Sequence, residues 1–525
     1  MKASHLFTVS AILALTTLTG CSSDSANDPY EDIKYLAVQV DKGDAWSIIN
    51  GDGEIIVKEE YGADNRISQI FGDLFWVKSG EKYQLFNVNS PKKPVSDEWD
   101  YATMFYSDRA LVANAGEPIK IIDEDGKIVT TLSKDIVEVK RRISSGFAFK
   151  RSDGTYGWAD KNGKIIKEGL CEYPNLVEGG DIVVVRTKKD SNRYDIYDAK
   201  GNKTGSFTAD EVITSGYGYI SIERNEKQII IDKNAETVVE SKKYAYICPP
   251  IFDKCVTISE ERDFGLIDLN GEVLIRPKYG FLRPIFNGLY TASKEDEYGV
   301  IDINDETIVD FEYDDITRIG DNLLAEDGSA YIVIDRKGNR IGKQEFYRYA
   351  SYACDSKIKY INVEGLAKVI KAIGPEHDNG KTVDQVAKKL GLSPSNEYRW
   401  SNKFTTTKKI EGYDVNIIYY FTAHGMYGLC DERFHQETKN DGWFDYNVDV
   451  SDGWFWNNDV YLSTITIEIP IDEDASETAD ILYTYLLKNG FKQPIEDIVD
   501  DRTALGDNYR LCIDTNYKGL EIRFI

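Results

Sequence analysis

The stretch Phe264-Gly265-Leu266-Ile267-Asp268-Leu269-Asn270-Gly271 holds the key to this chain. Phe264 and Leu266 stand two apart, so in an extended strand they share one face. Asp268 then opens a turn, its carboxylate placed to cap the backbone just ahead, while Gly271 takes the positive φ that other residues resist. A second strand, Glu272-Val273-Leu274-Ile275, follows and makes the unit a hairpin. Working outward, the turn-opening residue recurs as Asn50, Asn87, Asp123, Asp160, Asp198, Asp232, Asp268, Asp302 and Asp335, at intervals of 37, 36, 37, 38, 34, 36, 34 and 33 residues. Four residues before it the chain is aromatic in seven of nine copies, and two before it every copy is apolar. Eleven after it an aromatic often returns, as Tyr61, Tyr279, Tyr313 and Phe346. Self-similarity at such a period marks a repeat architecture.

At Phe264 to Gly271, with Pro277 and Tyr279, and at Tyr156-Gly157-Trp158-Ala159-Asp160-Lys161-Asn162-Gly163, the sequence resembles the WG-repeat family. The resemblance runs from about Tyr35 to Phe346. The family's Trp-Gly pair is here mostly another aromatic, with glycine kept at Gly157, Gly265 and Gly299. What the resemblance implies is a non-catalytic β-repeat module of bacterial exported proteins, with no known shared ligand.

A unit of about 36 residues cannot bury its apolar face alone, so units must stack, as a propeller-like ring or a β-superhelix. The ring is preferred, because Tyr35 to Val40 resembles the strand that ends each unit while the last unit stops short of that strand. An N-terminal strand completing the last unit would remove an exposed edge. The predicted fold is therefore mainly β: about nine short β-repeat units over residues 34–346, then a smaller α+β domain over 347–525. Helical spacing there predicts helices at 363–373 and 382–390, the second with Thr382 and Gln385 as a capping box, and at 477–489, closed by Gly490. Alternation predicts strands at 413–422, 461–471, 509–514 and 520–525.

The N-terminus reads as a signal peptide over residues 1–20. Lys2 is followed by the apolar run Leu6 to Leu18, too short to span a bilayer core of about 30 Å. Leu18-Thr19-Gly20-Cys21 resembles the lipobox of bacterial lipoproteins, which implies that Cys21 becomes an acylated N-terminus carrying palmitate. By the same resemblance Ser22, standing where an aspartate would retain the protein at the inner membrane, implies routing to the outer membrane, on a face left open. Residues 21–33 form a polar, flexible tether between lipid and fold.

Composition narrows the partners. Asp plus Glu number 89 against 63 Lys plus Arg, and the resulting charge of -26 repels phosphate backbones, which argues against nucleic acid. Cys171, Cys248, Cys255, Cys354, Cys430 and Cys512 permit disulfides in an exported protein, but no pairing is deducible. Gly374 and Gly380-Lys381-Thr382 imitate a phosphate loop with the wrong spacing and a helix where a strand should precede. The Asp-x-x-Gly segments lack the later carboxylate of a calcium loop. His424, Cys430, Asp431 and His435 match no common zinc signature, so no metal or other cofactor is expected. Without a nucleophile elbow, HExxH helix or CxxC, no enzyme is expected either. One motif remains. Asp441-Gly442-Trp443-Phe444-Asp445-Tyr446-Asn447 recurs as Asp452-Gly453-Trp454-Phe455-Trp456-Asn457-Asn458. Exposed, Trp443, Tyr446, Trp454 and Trp456 would stack sugar rings; buried, they would be the core face of a hairpin. The expected partner is another envelope protein, with a polysaccharide as the alternative.

Overall fold

The computed structural model describes residues 33–106, 108–143, 145–177, 182–259, 261–350, 354–374, 383–389, 403–411, 413–423, 460–471, 475–493, 502–505, 510–516 and 519–524. It divides into two compact units, Met1–Tyr360 and Ile361–Ile525.

In the first unit the recurrent turn is a side-chain cap. Asp268 Oδ1 accepts the backbone N–H of Asn270 at 2.9 Å and of Glu272 at 2.8 Å. The same pair of bonds recurs at Asn50, Asp123, Asp160, Asp198, Asp232, Asp302 and Asp335. Gly271 lies at φ 79°, and where glycine is missing Ala235 and Asp305 hold the same left-handed conformation at 68° and 70°. The turn thus survives loss of its glycine because the Asp cap remains.

Around the turns of the third to eighth blades four strands pair antiparallel in chain order, while the second and ninth blades have three and the first takes its innermost strand from elsewhere in the chain. In the seventh blade the four are Tyr246–Ile247, Lys254–Ile258, Phe264–Asp268 and Val273–Tyr279. The glycine after Phe264 has a steric cause. The fourth strand bulges opposite it, and a Cβ on Gly265 would lie 2.7 Å from the Ile275 carbonyl oxygen and 2.8 Å from the Pro277 nitrogen. Gly157 and Gly299 face the fourth-strand carbonyls of Lys167 and Val309 in the same way. The first blade carries Ser47 there, and its hydroxyl accepts the bulge N–H of Glu59 at 2.9 Å.

Nine such sheets follow one another among the described residues of this unit. The first strands of successive blades approach each other, as Ile136–Ile143, Asn175–Val177 and Glu211–Gly216 do, so they lie innermost. Fourth strands lie outermost and carry the exposed apolar residues Ile56, Ile128, Val129 and Val273. Blade meets blade through apolar faces: Phe264, Leu266 and Tyr279 of the seventh pack with Leu282, Tyr290 and Ile301 of the eighth.

The ninth blade meets the first, closing a propeller-like ring. Leu36, Val38 and Ile49 share a buried cluster with Ile319, Leu324 and Val333. The Gly320 N–H donates to the Ile33 oxygen at 2.6 Å, and Asn322 Nδ2 to the Gly51 oxygen at 3.0 Å. The closing strand is not the expected one. Leu36–Gln39 does not complete the ninth blade; it pairs with Trp46–Ile49 as the second strand of the first blade, and Arg348–Tyr349 adds on its other side, Val38 opposite Tyr349. The physical reason is the phase of the blades. Tight hairpins join second to third and third to fourth strands, so the N-terminal strand already has a partner about ten residues on, and the position left vacant is the innermost one of the first blade. The ninth blade is finished by its own chain, through the bridges Ile334–Arg340 and Tyr331–Phe346.

The second unit is α+β. Its antiparallel sheet runs Lys403–Ile410, Tyr413–Ala423, Val460–Pro470, Gly519–Phe524, Arg510–Asn516, Thr503–Leu505 in spatial order. Helices α1 (Val363–Ile373) and α3 (Ala475–Lys488) bury Leu366, Ile370, Leu482 and Leu486 against Ile417, Ile467, Ile513 and Ile522 of one sheet face. A further helix, α2, spans Val383–Lys389. Asn362 caps α1 by accepting the Gly365 N–H at 2.9 Å. The two edge elements, Lys403–Ile410 and Thr503–Leu505, were not foreseen from the sequence: the first reads KFTTTKKI, with too few apolar residues for an alternation signal.

Candidate functional site

The ring's most distinctive feature is a strap after the last repeat: residues 347–350 and 354–360 lie along the innermost side of the first four blades, with Tyr349 also packing on Tyr331 of the ninth. Three of those blades are deficient there: the first has no inner strand of its own, and the second and third have the two-residue strands Arg66–Ile67 and Tyr101–Ala102. The strap supplies what they lack. Arg348–Tyr349 pairs with the first blade, with Ala350 N–H donating to the Ala37 oxygen at 2.7 Å. Cys354 is buried between the second and third blades with Trp76, Tyr83 and Ala102. Asp355 links the same two blades: its carboxylate accepts the Tyr83 hydroxyl at 3.2 Å and the Ala102 N–H at 3.0 Å, and its own N–H donates to the Ala102 oxygen. Lys357–Lys359 then becomes a fifth strand of the fourth blade, pairing with Lys140, Val139 and Glu138. In the sequence this segment was assigned to the second domain, because the repeat period ends at Phe346.

Between the eighth and ninth blades two buried arginines perform a related task. Arg283 Nη2 donates to the Ile316 oxygen of the ninth blade, and Arg318 Nη1 donates back to the Ile285 oxygen of the eighth, each at 3.3 Å. Arg318 also packs over the Phe286 ring at 4.3 Å, an arrangement suited to a planar, weakly hydrated cation. The recurrence of arginine 35 residues apart within inner strands is a sequence signal for these clasps that the turn-centred reading passed over.

Titratable groups at blade junctions are likewise engaged. The Tyr279 hydroxyl reaches across to Asp305 Oδ1 at 2.6 Å, and Lys278 pairs with the other carboxylate oxygen. Burial alone would raise the Asp305 carboxyl, but the bonds from Lys278 and Tyr279 outweigh it and hold the group below its ordinary value. Of the cysteines, Cys171 is exposed, Cys248 half-buried, and Cys255, Cys354 and Cys512 buried; all five are free thiols. Burial pushes Cys248 up to about 12 and Cys354 well above the usual thiol range, so neither is a ready thiolate.

The residues singled out in the sequence fall elsewhere. Cys21, Trp443, Tyr446, Trp454 and Trp456 lie outside the described residues, as do His424, Cys430, Asp431 and His435. Gly374 ends helix α1 as its C-cap. Among the described residues no group of three or more His, Cys, Asp or Glu is placed to hold a metal ion.

A family model described as WG containing repeat matches residues 264–298 and 298–325, the stretch that includes Phe264-Gly265 and Tyr298-Gly299. No curated protein matches the chain. Among solved structures, the computationally designed Ika8 protein is similar at 10% identity and a TM-score of 0.33, covering 54% of this chain and 96% of its own. BamB from Moraxella catarrhalis is similar at 11% identity and a TM-score of 0.28, over 46% of this chain and 83% of BamB. Hsv2 of Kluyvelomyces marxianus is similar at 10% identity and a TM-score of 0.27, over 57% of this chain and 98% of Hsv2.

Proposed function

The chain carries WG repeats, and on that premise we propose that it is a lipid-anchored, non-catalytic scaffold of the cell envelope whose ring and C-terminal unit engage another envelope protein. One observation supports this above others: every recurring residue is committed to the fold. The Asp or Asn caps its turn, the glycine relieves a bulge, and the aromatic packs between blades. What differs from copy to copy is surface, and variable surface on a rigid repeat is what binding modules use. Anchoring through Cys21 would hold the ring near the membrane at the end of the tether of residues 21–33, with the outer membrane as the destination. The glycan platform of Trp443, Tyr446, Trp454 and Trp456 is the competing source of binding.

The test has three arms on one preparation. Cys21→Ala should move the protein from the detergent phase to the aqueous phase; a variant that still follows the membranes refutes the anchor. Photo-cross-linking from ring positions in intact envelopes should give a discrete protein adduct, whereas saturable binding to a polysaccharide array without any protein adduct would replace the scaffold with the glycan reading. Loss of array binding in Trp454→Ala would then assign it to that residue.

A further inference from the structure

The strap shows how this ring treats a blade with an incomplete inner strand: it lays an extended segment there. The seventh blade has the same deficiency. Its inner strand, Tyr246–Ile247, is two residues long and is followed by Cys248-Pro249-Pro250, where two prolines in a row have no N–H to continue a ladder. Among the described residues the strap touches the first four blades and, through Tyr349 beside Tyr331, the ninth, while at the seventh a notch remains. Its floor is apolar, formed by Val256, Ile251 and Pro249 with Pro284 of the eighth blade. Ser215, Gly216 and Tyr217 of the sixth blade form one wall, and Lys254 adds a single cation.

We propose that this notch is a docking site for an extended segment of a partner protein, in which a small apolar side chain is followed by an acidic residue. The strap is the pattern for that occupant. Its Cys354 fills an apolar space between inner strands and its Asp355 carboxylate takes hydrogen bonds from the neighbouring blades. In the notch the small side chain meets Val256 and Pro284, and the carboxylate meets the Lys254 ammonium. Extended segments that complete a sheet draw affinity from the backbone and specificity from alternate side chains. The inference rests on the scaffold reading and names the chemistry of its partner.

Gly216 provides the test, because it lines the notch and a Cβ added there meets nothing within 4 Å; the melting temperature of Gly216→Leu reports whether the ring accommodates the larger side chain. A fluorescein-labelled synthetic peptide with the sequence of residues 350–359 is titrated into the full chain and followed by anisotropy, beside a scrambled peptide. Saturable binding of the first peptide, weakened at least tenfold by Gly216→Leu with an unchanged melting temperature, and at least threefold by Lys254→Glu, is the expected result. Replacing the peptide's aspartate by asparagine should remove most of the Lys254→Glu effect. Absence of saturable binding, equal binding of the scrambled peptide, or binding indifferent to Gly216→Leu overturns the proposal; the last would mean that the peptide displaces the strap itself. The envelope cross-linking experiment repeated with Gly216→Leu separates the two readings: an adduct that persists removes the notch and leaves the scaffold, while no adduct from either protein removes the scaffold.

Discussion

Phe264→Ala measures how much of the ring's stability lies between blades. Phe264 retains 7% of its surface exposed and packs in a cluster drawn from the seventh and eighth blades, with the Phe281 ring centroid 6.1 Å away. An aromatic side chain buries about 150–250 Å², which at about 25 cal/mol per Å² amounts to about 4–6 kcal/mol. Alanine keeps roughly one methyl's share of this, about 0.8 kcal/mol, so a loss of about 3–5 kcal/mol is expected, in line with other buried Phe→Ala changes. Phe264→Leu should cost under about 1.5 kcal/mol, because most of the volume is kept. Val273→Ala, on the same blade but 42% exposed, should stay within about 0.5 kcal/mol. Guanidinium denaturation gives the three values, and hydrogen exchange locates the loss. Protection should fall in both Lys254–Ile258 and Leu289–Lys294, since the cavity opens at their interface. A Phe264→Ala cost under about 1 kcal/mol, or exchange confined to the seventh blade, would refute inter-blade packing as the role of the recurrent aromatic.

Four further perturbations probe other parts of the ring. Gly265→Ala should destabilise by about 1–3 kcal/mol through a clash with the rigid backbone of Ile275 and Pro277, read as a lowered melting temperature, while Gly216→Ala should be silent. Because the Asp305 carboxyl is held below its ordinary 3.8, its contribution is complete above that pH and is lost as pH falls through the lower folded value; Asp305→Asn should therefore flatten acid unfolding in that window and leave neutral-pH behaviour of the pH dependence unchanged. A thiol reagent applied to the native chain should label Cys171 and spare Cys255 and Cys354 until denaturant is added, with early Cys354 labelling showing that the strap is not seated. Asp355→Ala should cost about 1–3 kcal/mol by removing the acceptor of the Ala102 N–H and should raise exchange at that amide.

How much was legible divides along the range of the interactions. The period, the turns at Asp268 and its relatives, and the shared face of Phe264 and Leu266 all arise within a few residues, so their signals are written locally and repeat nine times. Helix α1 was equally plain, since its apolar spacing needs nothing distant. The glycine of the Trp-Gly pair could be seen but not explained, because its cause is a carbonyl on the neighbouring strand, that of Ile275. The candidate aromatics of the second unit lie outside the described residues, so their role stays with the experiment.

Ring closure belonged wholly to the tertiary structure. Val38 pairs with Tyr349 across about three hundred residues, through a strand of two residues that carries no periodicity at all. A local pattern states that an edge must be covered, and Tyr35 to Val40 made the N-terminal strand the natural candidate to cover it. Which segment does so is decided by where the blades are cut and which inner strands are short, and those follow from the packing of nine blades around one axis. Cys354 and Asp355 show the same limit. In sequence they are a small residue and a carboxylate after the last repeat, and only the folded ring brings Trp76, Tyr83 and Ala102 together to receive them.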